Sequence, residues 1–195
     1  MMLEKLRDPL GVRLRDRSAG LERIVFGRIK LHCAEIDVGS TAFGDCASMP
    51  RRYTADGDGL SPPLYWGELP AEASSLVLII EYADAPTPQP AVHAIVVSLP
   101  AAEGSLQEGA LPTARNAGAR LKMGRNTYMQ PHWIPPDPPR GLGPHRYAFQ
   151  LFALSQGARF VDFPGREEVE AQVRRYAVAS GCLIGTYERA RPGQP

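Results

Sequence analysis

Three apolar runs, Leu76-Val77-Leu78-Ile79-Ile80, Val92-His93-Ala94-Ile95-Val96-Val97 and Tyr147-Ala148-Phe149-Gln150-Leu151-Phe152-Ala153-Leu154, constrain this chain most. Each is short and rich in β-branched or aromatic residues, the pattern of a strand covered on both faces. Prolines punctuate the stretch between them, and eleven of the nineteen in the chain fall between Pro86 and Pro144. Proline is excluded from helix interiors and central strands, so these segments read as rigid loops. Glu35-Ile36-Asp37-Val38 alternates as a half-buried strand does, and Leu183-Ile184-Gly185-Thr186-Tyr187 reads as a last strand. Residues 103–133 read as irregular. One clear helix is expected over 166–180, with Glu167 and Glu168 in its first turn, Val169, Val173 and Tyr176 on one face, and Gly181 as its stop. Strands dominate and few helices alternate with them. The expected fold is mainly β: an antiparallel β-sandwich of two sheets with a few peripheral α-helices, not a doubly wound sheet.

At 195 residues the chain suits one domain with an arm. The expected division is a basic N-terminal arm over 1–33, a β-sandwich domain over 34–190 and a tail over 191–195. Residues 1–30 hold eight Lys or Arg against four Asp or Glu, while the whole chain carries only +1. That balance gives no case for a nucleic-acid partner. Leu3, Leu6, Leu10, Leu14, Leu21 and Ile24 recur at roughly helical spacing in the arm, whose plainest reading is a solvated terminal segment. Cys33, Cys46 and Cys182 lack CxxC spacing, which argues against a disulfide framework or a zinc site. No run is long enough for a transmembrane segment, and the N-terminus lacks the apolar stretch of a signal peptide. A cytoplasmic protein is expected.

Chemistry-bearing residues gather at the strand ends. Asp84 follows the first apolar run, His93 opens the second, and His145 and Tyr147 open the third. Residues two apart in a strand share a face, so His145 and Tyr147 project together and Arg146 points away. If the three strands are neighbours, all four side chains lie at one rim. A carboxylate beside an imidazole orients the ring and raises its pKa, and two imidazoles and a phenol then offer donors to a phosphate or carboxylate. Duller readings stand beside this one: His93 as a core histidine, Asp84 as a turn cap, Tyr147 as packing. His32 and His132 are left out of the site. No GxSxG, Walker loop, GxGxxG or HExxH occurs, so catalysis has no sequence support. Two histidines and a carboxylate would also suit a metal triad, a weaker reading than anion binding. No cofactor is expected.

These segments also carry a resemblance. Asp56-Gly57-Asp58-Gly59-Leu60-Ser61-Pro62-Pro63-Leu64-Tyr65-Trp66 resembles the DGxxxSPPLxW segment of the phosphatidylethanolamine-binding protein family. Asp84-Ala85-Pro86 is similar to the end of its DPDAP motif, with His93 at the histidine that follows. Pro138-Pro139-Arg140-Gly141-Leu142-Gly143-Pro144-His145-Arg146-Tyr147 resembles PPxGxGxHRY, and Leu183 to Arg189 resembles the closing segment of bacterial members. The likeness runs from about residue 35 to 189 and is nearest the bacterial Raf-kinase-inhibitor-like (YbhB/YbcL) set. It implies a sandwich with a cis-proline bend near DPDAP and a small anion-binding cavity, and it implies homodimers among bacterial relatives. Carried over by position, the ligand-binding residues are Asp84, His93, Pro138, His145 and Tyr147, with Asp137 at the mouth. Four positions depart from the family: Tyr82 replaces the first aspartate of DPDAP, Ala83 the next proline, Ala91 a tryptophan, and Asp137 a glycine or cysteine. The expected function is non-enzymatic binding of a small anionic or phosphorylated headgroup, tighter at pH 6 than at pH 8. The alternative is an interaction or inhibitor protein with a vestigial pocket, and a small-molecule hydrolase ranks below both.

Overall fold

The three apolar runs lie side by side at the centre of a seven-stranded sheet. The computed structural model describes residues 20–29, 32–116 and 118–190. In chain order the strands are β1 (Ala34–Glu35), β2 (Val38–Gly39), β3 (Ala47–Ser48), β4 (Leu64–Trp66), β5 (Ala73–Tyr82), β6 (Ala91–Pro100), β7 (Gly104–Leu106), β8 (Lys122–Met123), β9 (His145–Ser155) and β10 (Ala177–Tyr187). The larger sheet runs β1-β10-β9-β5-β6-β8, with β3 also on β10, and β2-β4-β7 form the smaller sheet. The long strands pair antiparallel, and only the two-residue strands β1 and β3 join β10 in parallel. The fold is therefore mainly β, in two sheets with few helices. Among the described residues no helix is long and apolar enough to cross a membrane.

Alternation along the strands builds two cores. Leu76, Leu78, Ile80 and Tyr82 face the smaller sheet and pack with Leu64, Trp66, Leu106, Phe149 and Trp133. Val77, Ile79, Ile95, Phe152 and Leu154 face the other way, under Val169 and Val173 of α2 (Arg166–Tyr176) and under Val25 and Ile29. Covering both faces is what the unbroken apolar runs require, since each such side chain withdrawn from water contributes about 1.5–3 kcal/mol.

Several expectations need correction. The helix ends at Tyr176 rather than at 180, and β10 begins at once with Ala177. Its pairing with β9 runs from Ala177↔Leu154 to Tyr187↔His145, and that ladder overrides helical propensity. Gly181 stops no helix. It lies inside β10, where a Cβ would stand 2.2 Å from the Ile36 carbonyl oxygen. The strand expected over 35–38 is two fragments, because the chain crosses there from β10 to the smaller sheet. The irregular stretch 103–133 contains β7 and β8.

The N-terminal helical pattern falls mostly outside the described residues. The part that is described is no solvated segment: Leu21–Arg23 forms a 3-10 turn, α1 (Val25–Arg28) a single helical turn, and Ile24, Val25 and Ile29 are buried. The cis-proline bend implied by the resemblance is absent, for no cis peptide occurs among the described residues. Of the two prolines in the motif, Ala83 replaces the first, and the second, Pro86, remains and is trans.

Candidate functional site

Strand register brings the predicted residues to one rim. Tyr82, the last residue of β5, pairs with Tyr147 of β9 on one side and with Ala91 of β6 on the other. The β5–β6 ladder passes from Ile80↔Ala94 to Glu81↔Val92, leaving His93 as the extra residue of a bulge. A bulge re-aims a side chain, and His93 turns toward the inner face. There its ring meets Tyr147 edge-on with centroids 5.2 Å apart, Tyr82 at 6.1 Å and Trp133 at 5.9 Å. Tyr82 stacks on Tyr147 at 4.9 Å and 16°, and its hydroxyl lies 2.7 Å from His145 Nδ1.

This cluster is closed. Relative exposure is 6% for Tyr82, 6% for His93, 8% for His145 and 0% for Tyr147. Burial pushes the His93 pKa down to about 4 despite its hydrogen bond to the Ile134 carbonyl. That bond, 2.6 Å from Nδ1, fixes the tautomer, because a carbonyl only accepts. His93 therefore stays neutral from pH 6 to pH 8 and supplies none of the pH dependence expected in that window. Burial likewise raises the Tyr82 and Tyr147 phenols well above their ordinary value. The Tyr147 hydroxyl has no hydrogen-bond partner among the described residues.

The hydrogen bonds of Asp84 go to Arg146, and it acts on His145 only through charge. Its carboxylate accepts hydrogen bonds from the Arg146 backbone N–H at 2.8 Å and from Arg146 Nε and Nη2. Burial alone would raise the Asp84 pKa, but the Arg146 hydrogen bonds and charge outweigh it and hold the carboxyl below its usual range. The His145 orientation comes instead from Tyr82. With both imidazole Nδ1 atoms committed and Asp84 held by Arg146, the two-histidine, one-carboxylate metal triad is not assembled. Asp137 is not an unpaired charge at the mouth either, for Arg189 Nη1 donates to it. Arg189 Nη2 also reaches Asp56 at 2.6 Å, and the Tyr187 hydroxyl donates to Asp56 at 2.9 Å. The Arg189 hydrogen bond is the main cause of the lowered Asp56 pKa. Asp137 and Arg189 act on the Tyr147 phenol in opposite senses. Pro138 is buried next to Asp137.

The loops that hold these groups are tied back to the frame. Gly141 and Gly143, at φ 71° and 81°, adopt the left-handed turns that glycine takes freely, and the Gly141 N–H donates to the Arg189 carbonyl at 2.8 Å. Trp133 Nε1 donates to the Gly59 carbonyl at 3.1 Å, which fixes the stretch whose Ile134 carbonyl holds His93. Thus the DG and PPxGxGxHRY segments brace one end of the sandwich. His132 lies outside the ring cluster, bonded to Gln130. Sequence reasoning noted Tyr82 as a departure from the motif without counting it among the binding residues, and missed Trp133 and Arg189. The period-two pattern Leu76, Leu78, Ile80, Tyr82 does place Tyr82 inward, whereas nothing local marks the other two.

Comparison with known proteins agrees with this fold. The phosphatidylethanolamine-binding protein family model matches residues 39–188. A UPF0098 protein of Methanothermobacter thermautotrophicus is 34% identical over 76% of this chain and 95% of its own length. One from Aquifex aeolicus is also 34% identical, over 80% of this chain and 90% of its own. Among solved structures, the phosphatidylethanolamine-binding protein homolog CT736 of Chlamydia trachomatis superposes with a TM-score of 0.70 at 31% identity, covering 80% of this chain and 98% of its own. Escherichia coli YbcL gives 0.71 at 25%, covering 80% and 99%. With its motifs in order and its fold shared, this chain belongs to the phosphatidylethanolamine-binding protein family.

Proposed function

We propose that the ring cluster binds a small anionic or phosphorylated headgroup without catalysing its turnover. The Tyr147 hydroxyl carries this reading. A buried phenol hydroxyl almost always has a partner, and this one has none among the described residues, so an acceptor oxygen from a ligand would complete it. Tyr82 donating to His145 Nδ1 would place the His145 proton on Nε2, a second donor on the same rim. His93, neutral and bonded to Ile134, serves as a wall. No serine, cysteine or lysine belongs to the cluster, so the reading includes no nucleophile. NMR titration with phosphorylethanolamine, inorganic phosphate and acetate tests it. Tyr147 and His145 signals should move first, and silence there at millimolar ligand would defeat it.

One observation favours the second reading, an interaction or inhibitor protein with a vestigial pocket. Tyr82 stands where the family motif has an acid, and its ring is stacked flat on Tyr147 in a closed cluster. Under that reading the same titration leaves the ring signals unmoved, and Tyr82→Ala does not restore a response.

A further inference from the structure

Behind the ring cluster, on the opposite side of β6, lies a cavity of about 540 Å³. It is bounded by residues 87–92, by the loop 125–129 and by the start of α2 at Gly165. Val92 belongs to the outer core, whereas its neighbour His93 points inward, so the two sites do not share side chains. We infer that this cavity binds a small amphiphilic acid, a short apolar chain ending in one carboxylate or phosphate, with its head on Arg125 and its chain against Pro88, Pro90, Val92 and Met129.

Three observations support this. First, the size suits a small molecule, and the walls are mainly apolar with few polar groups, as ligand cavities usually are. Second, the charge is one-sided: Arg125 and Arg166 line the cavity, and no carboxylate does. Arg166 is committed to Glu81, Glu170 and the Arg23 carbonyl. The Arg125 guanidinium makes no ion pair or hydrogen bond among the described residues. Its Nη2 stands 3.7 Å from where a Cβ on Gly165 would lie, over the cavity floor. Third, the walls are built and stiff. Val92 and Thr127 exchange bonds of 2.6 and 3.0 Å, and Asn126 Oδ1 accepts from the backbone N–H of Tyr128 and Gln130. That loop holds Met129 at φ 62° and 64% exposed, a strained conformation for a non-glycine residue that displays an apolar side chain.

An apolar body gains by leaving water against such walls, and a charge-assisted bond to Arg125 orients it. A neutral chain forgoes the second contribution, and a bare anion forgoes the first. The probes are hexanoate, hexyl phosphate, hexanol and acetate, titrated into the full chain by NMR. Hexanoate or hexyl phosphate should shift the amide signals of Thr87, Val92 and Thr127, with hexanol and acetate about tenfold weaker or worse. The stronger of the two acids identifies the head group. Arg125→Gln should weaken binding about tenfold. Gly165→Leu, at φ −92° where any residue fits, should crowd the Arg125 end of the cavity and weaken binding about tenfold or more while melting near the parent temperature. Silence with both acids at millimolar concentration overturns the inference, as do equal binding of hexanol, indifference to Arg125→Gln, or shifts confined to Tyr147 and His145. Failure here leaves the ring cluster's own titration untouched, because the two sets of signals are separate.

Discussion

The Tyr82 hydroxyl holds His145 by Nδ1 at 2.7 Å across the β5–β9 boundary, so a neutral phenol does the orienting that the sequence assigned to a carboxylate. A carboxylate at that place would favour an imidazolium. A phenol whose pKa is raised by burial carries no charge to set against the ring.

Replacing Tyr82 with Phe keeps the ring stacked on Tyr147 and removes only the hydroxyl. A buried ring nitrogen then loses its partner, at a cost of about 1–3 kcal/mol. Urea denaturation should register the loss, and His145 imidazole nitrogen shifts should change. Unaltered His145 shifts would show that the contact orients nothing.

His93 gives stability a defined pH dependence. Its folded-state pKa, pushed down to about 4, lies below the unfolded value of 6.5, so between those values the unfolded chain binds the extra proton. The stabilisation is fully present above pH 6.5 and is lost as pH falls toward 4. The loss is on the order of 3 kcal/mol. His93→Gln should flatten the unfolding free energy between pH 6.5 and pH 4, relative to the parent. Parallel curves for the two proteins would contradict a buried neutral His93.

Gly181→Ala should destabilise the fold by about 3 kcal/mol without changing its helix content. The new Cβ would meet the Ile36 carbonyl at 2.2 Å and the Val38 side chain at 2.6 Å, so the crossing between the sheets would have to shift. Far-ultraviolet circular dichroism and a urea midpoint separate this from a helix stop, which would alter the helix signal.

Gly181 also shows where sequence reasoning stops. The central strands were legible because burial on both faces leaves a local mark, an unbroken apolar run at 76–80, 92–97 and 147–154. The convergence of His93, His145 and Tyr147 was legible too, since motif order and strand ends are one-dimensional. What Gly181 avoids lies some 145 residues away in the chain, and no local pattern carries it. The same holds for the partners of Asp84 and Asp137. Their arginines, Arg146 and Arg189, were visible as residues, but which carboxylate each meets depends on how loops fold back. Ala177 is the plainest local conflict: helical pattern continued there, and pairing with Leu154 prevailed.

The segment 20–29 precedes the family match at 39–188, yet it is bound into the fold through a buried acid. Glu81 is wholly buried and accepts from the Val25 backbone N–H at 2.8 Å, Gln150 Nε2 at 2.8 Å and Arg166 Nε at 2.6 Å. Phe26 N–H donates to Gln150 Oε1 at 2.7 Å, and Gly20 N–H to the Ala83 carbonyl at 2.7 Å. Removing residues 1–29 should thus strip a partner from a buried charge and expose the outer core beneath Ile24, Val25 and Ile29. Each of those side chains contributes about 1.5–3 kcal/mol, a large share of the roughly 5–15 kcal/mol that holds a domain together. A chain starting at residue 30 should unfold far below the urea midpoint of one starting at residue 20. Val25→Pro isolates the hydrogen bond if the shorter chain does not fold. Proline suits the first turn of a helix, and Ile24 is already extended at ψ 159°, so the substitution removes the N–H to Glu81 with little backbone strain. It should cost about 1–3 kcal/mol. Equal midpoints for the chains starting at 20 and 30 would mean that Glu81 and the outer sheet face are satisfied without this segment.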